Sequence, residues 1–236
     1  MIGRAELRER LAAAAGFVFD LDGTLALSDR RSHGFIPLPG ALELLALLRG
    51  TGRTVVVLTN GTIHPPRRIV EELARAGFSI PASAMFTPAV VAADFFARKG
   101  YRCVLVLGGP GVLEPFTAAG VPFVRPGEPQ GAADAVFVGW YPEFTFPDLE
   151  SACRAVWGGA ALYTASNAPF FATREGKTLG VSGAIVAAIH SVTGVRAQVL
   201  GKPAAEALRV VARELGVRAR DLVVVGDDPT LEPRMA

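Results

Sequence analysis

Four short polar clusters of this chain lie beside apolar runs, and their residue types suit one chemistry. Asp20-Leu21-Asp22-Gly23-Thr24 follows Phe17-Val18-Phe19, and Thr59-Asn60-Gly61-Thr62 follows the run Thr54 to Leu58. Gly201-Lys202-Pro203 opens a helical stretch, and Asp227-Asp228 follows Leu222 to Val225. Carboxylates, a hydroxyl, an amide and a lysine are the parts that phosphoryl transfer needs. A phosphomonoester dianion repels an attacking carboxylate, so a hard cation must offset part of the charge. Magnesium does this with oxygen ligands while keeping several waters. Asp20, the main-chain carbonyl of Asp22, and Asp227 can supply such oxygens, with Asp228 beside them. Asp20 can then attack phosphorus in line. Asp22 can protonate the leaving alcohol and later activate water. Gly23 lets the chain turn sharply, exposing amides that hold phosphate oxygens, as Asn60 and Gly61 can. Thr59 offers a hydroxyl and Lys202 a fixed positive charge. Catalysis of this kind is mostly positioning plus electrostatic stabilisation.

The elements that must position these residues follow from apolar patterning. Phe17-Val18-Phe19, Thr54 to Leu58, Met85-Phe86 and Leu222 to Val225 read as strands. They are continuously apolar, without period-two alternation, as in a parallel sheet covered on both faces. Helices are expected at Ala41 to Arg49, Ile69 to Ala76, Pro88 to Lys99 and Ala204 to Leu215, most of them ended by glycine. Strands alternating with helices imply an α/β fold with a mostly parallel sheet. In such sheets ligands bind beyond the carboxyl ends of the strands, which is where the polar clusters fall.

The middle of the chain, Tyr101 to Arg196, is richer in Gly, Pro and aromatics and has its own strands at Cys103 to Leu107, Ala135 to Val138 and Ala161 to Thr164. It reads as a second α/β module inserted into the first. Ser166-Asn167-Ala168-Pro169-Phe170-Phe171 follows one of its strands, and Asn167 and Phe170 are expected to meet a substrate's leaving group. The Gly108-Gly109-Pro110-Gly111 segment reads as a turn, and Arg67-Arg68 as a solvated helix face. His33, His64 and His190 show no spacing that suggests a metal site.

Composition narrows the partners. Of 236 residues, 50% are hydrophobic and 19% charged, a globular balance, and 24 basic against 22 acidic residues leave a charge of +2. That gives no argument for nucleic acid or an anionic membrane. Arg4, Arg8 and Arg10 precede an apolar run, but Glu6 and Glu9 interrupt the basic stretch and no small-residue cleavage site follows, so it is not read as a signal peptide. Cys103 and Cys153 form no framework and read as buried thiols, which points to the cytoplasm.

Asp20-Leu21-Asp22-Gly23-Thr24-Leu25 resembles the first motif of the haloacid dehalogenase superfamily. Leu58-Thr59-Asn60-Gly61, Gly201-Lys202-Pro203 and Val225-Gly226-Asp227-Asp228 resemble its second, third and fourth. With Pro39-Gly40-Ala41, these look like the subclass IIA branch of p-nitrophenyl-phosphatase-like and pyridoxal-phosphate-phosphatase-like enzymes. The resemblance implies a Rossmann-like core at 1–98 and 197–236 with a large C2-type α/β cap at 99–196. It implies Asp20 as nucleophile, Asp22 as acid and base, phosphoryl contacts from Thr59 and Lys202, and Mg2+ as cofactor. The metal shell would draw on Asp20, Asp22 and Asp227, completed by Asp228 or by Glu232, the position where the family often has a second carboxylate. Family members continue past the point where Arg234-Met235-Ala236 ends, so the chain is expected to be a truncated form. The expected substrate is a small phosphorylated metabolite and the expected assembly a homodimer. A phosphotransferase or mutase of the same superfamily is the alternative. So is a non-catalytic phospho-acceptor, against which Asp22 and the inserted module argue.

Overall fold

The structure is a computed structural model that describes residues 3–128, 131–229 and 235. Its centre is a four-stranded parallel sheet in the order Leu222–Val225, Gly16–Phe19, Val55–Leu58, Met85–Phe86. Phe17, Val18 and Phe19 pair with Val223, Val224 and Val225 on one side and with Val55, Val56 and Val57 on the other. Both faces are covered, so Val18, Phe19, Val56, Val57 and Leu58 are almost wholly shielded from solvent. This is the arrangement in which apolar residues need not alternate along a strand.

A second sheet of five parallel strands runs Gln198–Val199, Ala161–Thr164, Ala135–Val138, Val104–Leu107, Phe123–Val124. The residues contributing to it extend from 104 to 199. Its two outer strands, Gln198–Val199 and Phe123–Val124, were not foreseen from sequence. Two short antiparallel pairs flank the cavity described below. One joins Ala26–Leu27 to Ile36–Pro37, and the other joins Phe170–Thr173 to Gly176–Leu179.

The helix Pro88–Lys99 joins the two sheets. Thr87 caps it, Pro88 begins it, and Gly100 at φ 68° ends it in the left-handed conformation that glycine adopts without strain. Ala89, Val91, Ala92, Ala93, Phe95 and Phe96 are buried, so it is enclosed on nearly every side. The Phe96 ring meets Phe116, Phe137 and Tyr163 edge-on at centroid distances of 5.7, 5.9 and 5.2 Å. One apolar cluster therefore continues from the first sheet into the second, and the inserted segment has a fixed mounting.

Further links cross between the modules. The Gly108-Gly109-Pro110-Gly111 segment leads straight into the helix Pro110–Ala118, and a Cβ on Gly111 would overlap the main chain of Thr62 and Ile63. Arg67 is not simply solvated: its guanidinium holds Glu114 of that helix through bonds of 2.9 and 3.0 Å. Both partners are exposed, so solvent screens the pair and it adds little to stability. Cys153 is buried as expected, whereas Cys103 is only partly so, and both thiols are free. The N-terminal segment forms a helix, Arg4–Ala13, that buries none of its residues. Arg53 ties its end down by donating to the carbonyls of Ala12 and Ala14. Among the described residues no helix is long and apolar enough to cross a membrane.

Candidate active site

The sheet ladder continues one residue past two of the strands, and this fixes where the polar residues start. The Asp20 amide donates to the Val225 carbonyl (2.9 Å), and the Thr59 amide donates to the Phe86 carbonyl (3.1 Å). Each side chain therefore leaves from the carboxyl edge of a buried sheet. A cavity of about 240 Å³ lies over that edge, between the two modules. Asp20, Asp22, Thr59, Lys202, Asp227 and Asp228 all line it, as do Asn60 and Gly61.

Lys202 and Asp20 are buried, at 3% and 8% exposure, and form an ion pair. A buried pair of this kind adds little net stability, because desolvation offsets the attraction. Its value is positional: the ammonium holds the Asp20 carboxyl group at the cavity floor. Asp22 behaves differently. Burial pushes its carboxyl up to about 7, and the negative charge of Asp20 pushes in the same direction. The Lys202 charge and a long hydrogen bond from the Thr59 hydroxyl (3.4 Å) oppose these effects without cancelling them. Of two carboxyl groups two residues apart, one is thus paired with a lysine and the other is able to carry a proton near neutrality.

The remaining residues hold these two in place. Thr59 accepts from the Gly61 amide (3.0 Å) while its hydroxyl faces Asp22. Asn60 turns both ends of its amide to the main chain of Lys202, accepting from its amide at 2.7 Å and donating to its carbonyl at 3.0 Å. Sequence reading placed Asn60 among groups that hold the phosphoryl; it lines the cavity and also braces the lysine segment. Gly201 allows the close approach, since a Cβ there would overlap the Asn60 amide oxygen and the Ala165 carbonyl. The Lys202–Pro203 peptide is cis, and the helix that follows begins at Ala205. Asn60→Ala is expected to lower stability by about 2 kcal/mol, because two main-chain groups lose partners in a partly buried setting. Activity should fall with it, through a loosened Lys202. Thermal unfolding and steady-state kinetics on the same preparation check both effects.

Asp227 is exposed and takes a long hydrogen bond from the Thr24 hydroxyl (3.4 Å). Gly23, at φ 90°, serves it twice: the backbone is left-handed there, and a Cβ would overlap the Asp227 carboxylate. Asp228 is partly exposed on the same wall. Glu232 lies outside the described residues, as does most of the segment around Met235. Among the described residues no three carboxylate, imidazole or thiol side chains converge as a ready-made metal cage. Magnesium does not need one. It binds through one or two carboxylates, with waters and substrate oxygens completing the octahedron. Asp20, Asp227 and the Asp22 carbonyl are hard oxygen donors around one cavity, and their chemistry fits that ion.

Asn167 is not brought to the cavity. It is exposed, while its neighbours Ser166 and Ala168 line the wall. Phe170 and Phe171 of the same segment do reach the lining, joined by residues that sequence reading missed, including Ser32, Trp140 and Ser182. Trp140 and Ser166 each lie two residues beyond a strand of the second sheet. The strand-end position had already singled out the segment that begins at Ser166, and the same rule places Trp140 beyond Ala135–Val138.

Comparison with known proteins agrees with this arrangement. The family profile described as haloacid dehalogenase-like hydrolase matches residues 17–122. Haloacid dehalogenase-like hydrolase domain-containing protein 2 of Mus musculus is 30% identical over 217 residues, covering 92% of this chain and 77% of that protein. The crystal structure of 4-nitrophenylphosphatase from Thermotoga maritima is similar with a TM-score of 0.83 at 25% identity, covering 96% of this chain and 83% of that one. Glycerol phosphate phosphatase from Mycobacterium tuberculosis, solved in complex with magnesium, gives a TM-score of 0.79 at 28% identity, covering 93% of this chain and 63% of that one.

Proposed function

The chain belongs to the haloacid dehalogenase superfamily and is a phosphoric monoester hydrolase of its subclass IIA; we propose that it dephosphorylates a small metabolite through an aspartyl phosphate on Asp20, with Mg2+ as cofactor. The observation that carries this is the placement of Asp20 and Asp22 in one cavity, the first paired with Lys202 and the second pushed up to about 7.

Asp20 attacks phosphorus as the bond to the ester oxygen breaks, and Asp22 gives its proton to the departing alkoxide. Asp22, now a carboxylate, takes a proton from water as that water attacks the same phosphorus. The acyl phosphate bond breaks, phosphate leaves, and both aspartates return to their starting states. Lys202 offsets charge gathering on the transferring oxygens, and the Thr59 hydroxyl can turn from Asp22 to one of them. Magnesium, held by Asp20, the Asp22 carbonyl and Asp227, with Asp228 beside them, supplies Lewis-acid neutralisation of the dianion.

In this reading residues 1–98 and 197–236 form the catalytic module and 99–196 a cap that closes over it, with Gln198–Val199 added to the cap sheet. The cavity volume suits a small phosphate ester rather than a protein side chain displayed on a folded surface. Two free thiols agree with a reducing cytoplasmic setting, and a homodimer is part of the proposal. The test is a screen of phosphorylated metabolites with Mg2+, reading inorganic phosphate with and without an added alcohol acceptor. Phosphate release from a subset of small esters, absent in Asp20→Asn, supports hydrolysis. Transfer to the alcohol in place of phosphate release would replace it with a phosphotransferase.

The cap residues should set substrate preference. Trp140→Ala removes an aromatic surface from the cavity wall, so kcat/KM is expected to change about tenfold between two esters that differ only in the leaving group. Asn167→Ala should leave that ratio untouched. Kinetics of the two variants on the same pair of esters decide it.

A further inference from the structure

At the rim of the cavity, outside the residues used above, two histidines from separate loops meet. The Nε2 atoms of His33 and His64 are 3.0 Å apart, and the main-chain carbonyl oxygen of Arg31 lies 2.8 Å from His64 Nε2. The ring centroids are 4.8 Å apart. His64 Nε2 thus lies within bonding reach of two other atoms that carry lone pairs. Without an ion, the contact requires a single Nε2–H to sit between them.

We propose that His33, His64 and the Arg31 carbonyl form a binding site for a divalent transition-metal ion of the zinc, nickel or copper kind. Such ions bond imidazole nitrogen at about 2.0–2.1 Å, and at that length nitrogens 3.0 Å apart subtend about 95° at the metal. The nitrogen and oxygen 2.8 Å apart subtend about 85°. Angles near a right angle suit tetragonal or octahedral coordination by mixed nitrogen and oxygen donors. On binding, both Nε2 lone pairs go to the metal, and the proton held between them moves to the Nδ1 of its own ring or to solvent.

The surroundings favour this chemistry. The Asp29 carboxylate lies behind the His33 ring, with Oδ2 3.9 Å from Nδ1, the side from which carboxylates orient metal-bound imidazoles. Its Oδ1 accepts from the amides of Arg31 (2.8 Å) and His33 (2.9 Å), which fixes both ligand-bearing residues. Burial holds His64 below its ordinary value, and the charges near it are His33, Arg68 and Glu72. It is therefore neutral, the form that binds metal, at neutral pH. Among the described residues no third imidazole, thiol or carboxylate joins the pair, so water completes the shell. Magnesium prefers oxygen and would not compete here. Ser32, between Arg31 and His33, lines the cavity and has a left-handed backbone at φ 56°. An ion in this site pins the loop that carries Ser32 at the cavity rim.

The experiment strips the full-length protein with a chelator, saturates it with Mg2+ to fill the hard oxygen donors, and dialyses it against Zn2+ or Ni2+. Metal content is compared among wild type, His33→Asn and His64→Asn. Wild type should retain one equivalent more than either variant, with affinity for Zn2+ or Ni2+ at least about tenfold tighter. The extra equivalent should be released as the pH is lowered to 5, because protons compete with the metal for imidazole nitrogen. Both histidines are partly exposed, so the variants should fold, and the pH arm on wild type stands without them. Equal uptake by all three proteins, no extra equivalent in wild type, or uptake that persists at pH 5 would overturn the proposal.

Discussion

Replacing Asp20 with asparagine is expected to abolish Mg2+-supported phosphate release, lowering kcat by about 10⁴-fold or more while leaving the protein folded. The substitution keeps shape and volume at the end of the strand, and the main-chain bond from residue 20 to Val225 is retained. What changes is the anion. An amide cannot displace an ester oxygen at phosphorus, and it no longer balances the buried charge of Lys202. Stability should fall by about 3 kcal/mol, the order seen when one member of a buried pair loses its charge. The two effects are read separately. Circular dichroism and thermal unfolding report the fold, and single-turnover phosphate release reports the chemistry. A folded variant that still releases phosphate at more than about a hundredth of the wild-type rate would place the nucleophile elsewhere.

The core of this site was legible because of how parallel sheets bury their strands. Phe17 to Phe19, Val55 to Leu58 and Leu222 to Val225 are continuous apolar runs, and whatever polar residue ends such a run stands at a sheet edge. Asp20, Thr59 and Asp227 follow from that rule together with the family resemblance. The brace role of Asn60 did not follow, since its partners on Lys202 are 142 residues away and no local pattern encodes them. Asn167 is exposed while Ser166 and Ala168 on either side line the cavity, and the Ser166 hydroxyl accepts from the Ala168 amide at 3.1 Å, a local turn that composition does not encode. Composition located the right segment but not the side of the chain. The helix Arg4–Ala13 buries no residue, so no apolar stripe announced it. His33 and His64 come from irregular loops 31 residues apart, where no periodicity operates.

Replacing Asp22 with asparagine should damage catalysis and, at neutral pH, stabilise the metal-free protein. For catalysis, the loss of a positioned acid and base is worth about 10²–10⁴-fold. It should be largest for alkyl phosphates, whose leaving alkoxide needs a proton, and smaller for an aryl phosphate that leaves as a stable phenolate. For stability, the sign follows from the direction of the shift. The folded carboxyl sits at about 7 against 3.8 for the free side chain, with burial as the main cause and the neighbouring Asp20 charge second. Between those values the folded state binds more protons than the unfolded state, so stability falls as pH rises from about 4 to about 7. The full shift corresponds to about 4 kcal/mol, which water in the cavity reduces to about 2–3 kcal/mol. Asparagine is neutral throughout and escapes this loss. In the presence of a chelator, Asp22→Asn should therefore melt about 5–10 °C above wild type at pH 8, and the gap should shrink as pH falls toward 4. Mg2+ should narrow the gap from the other side, because a cation beside Asp22 lowers the cost of its negative charge. Equal melting temperatures at pH 8 without metal would mean that Asp22 is already comfortable as an anion, and the division of labour between the two aspartates would have to be abandoned.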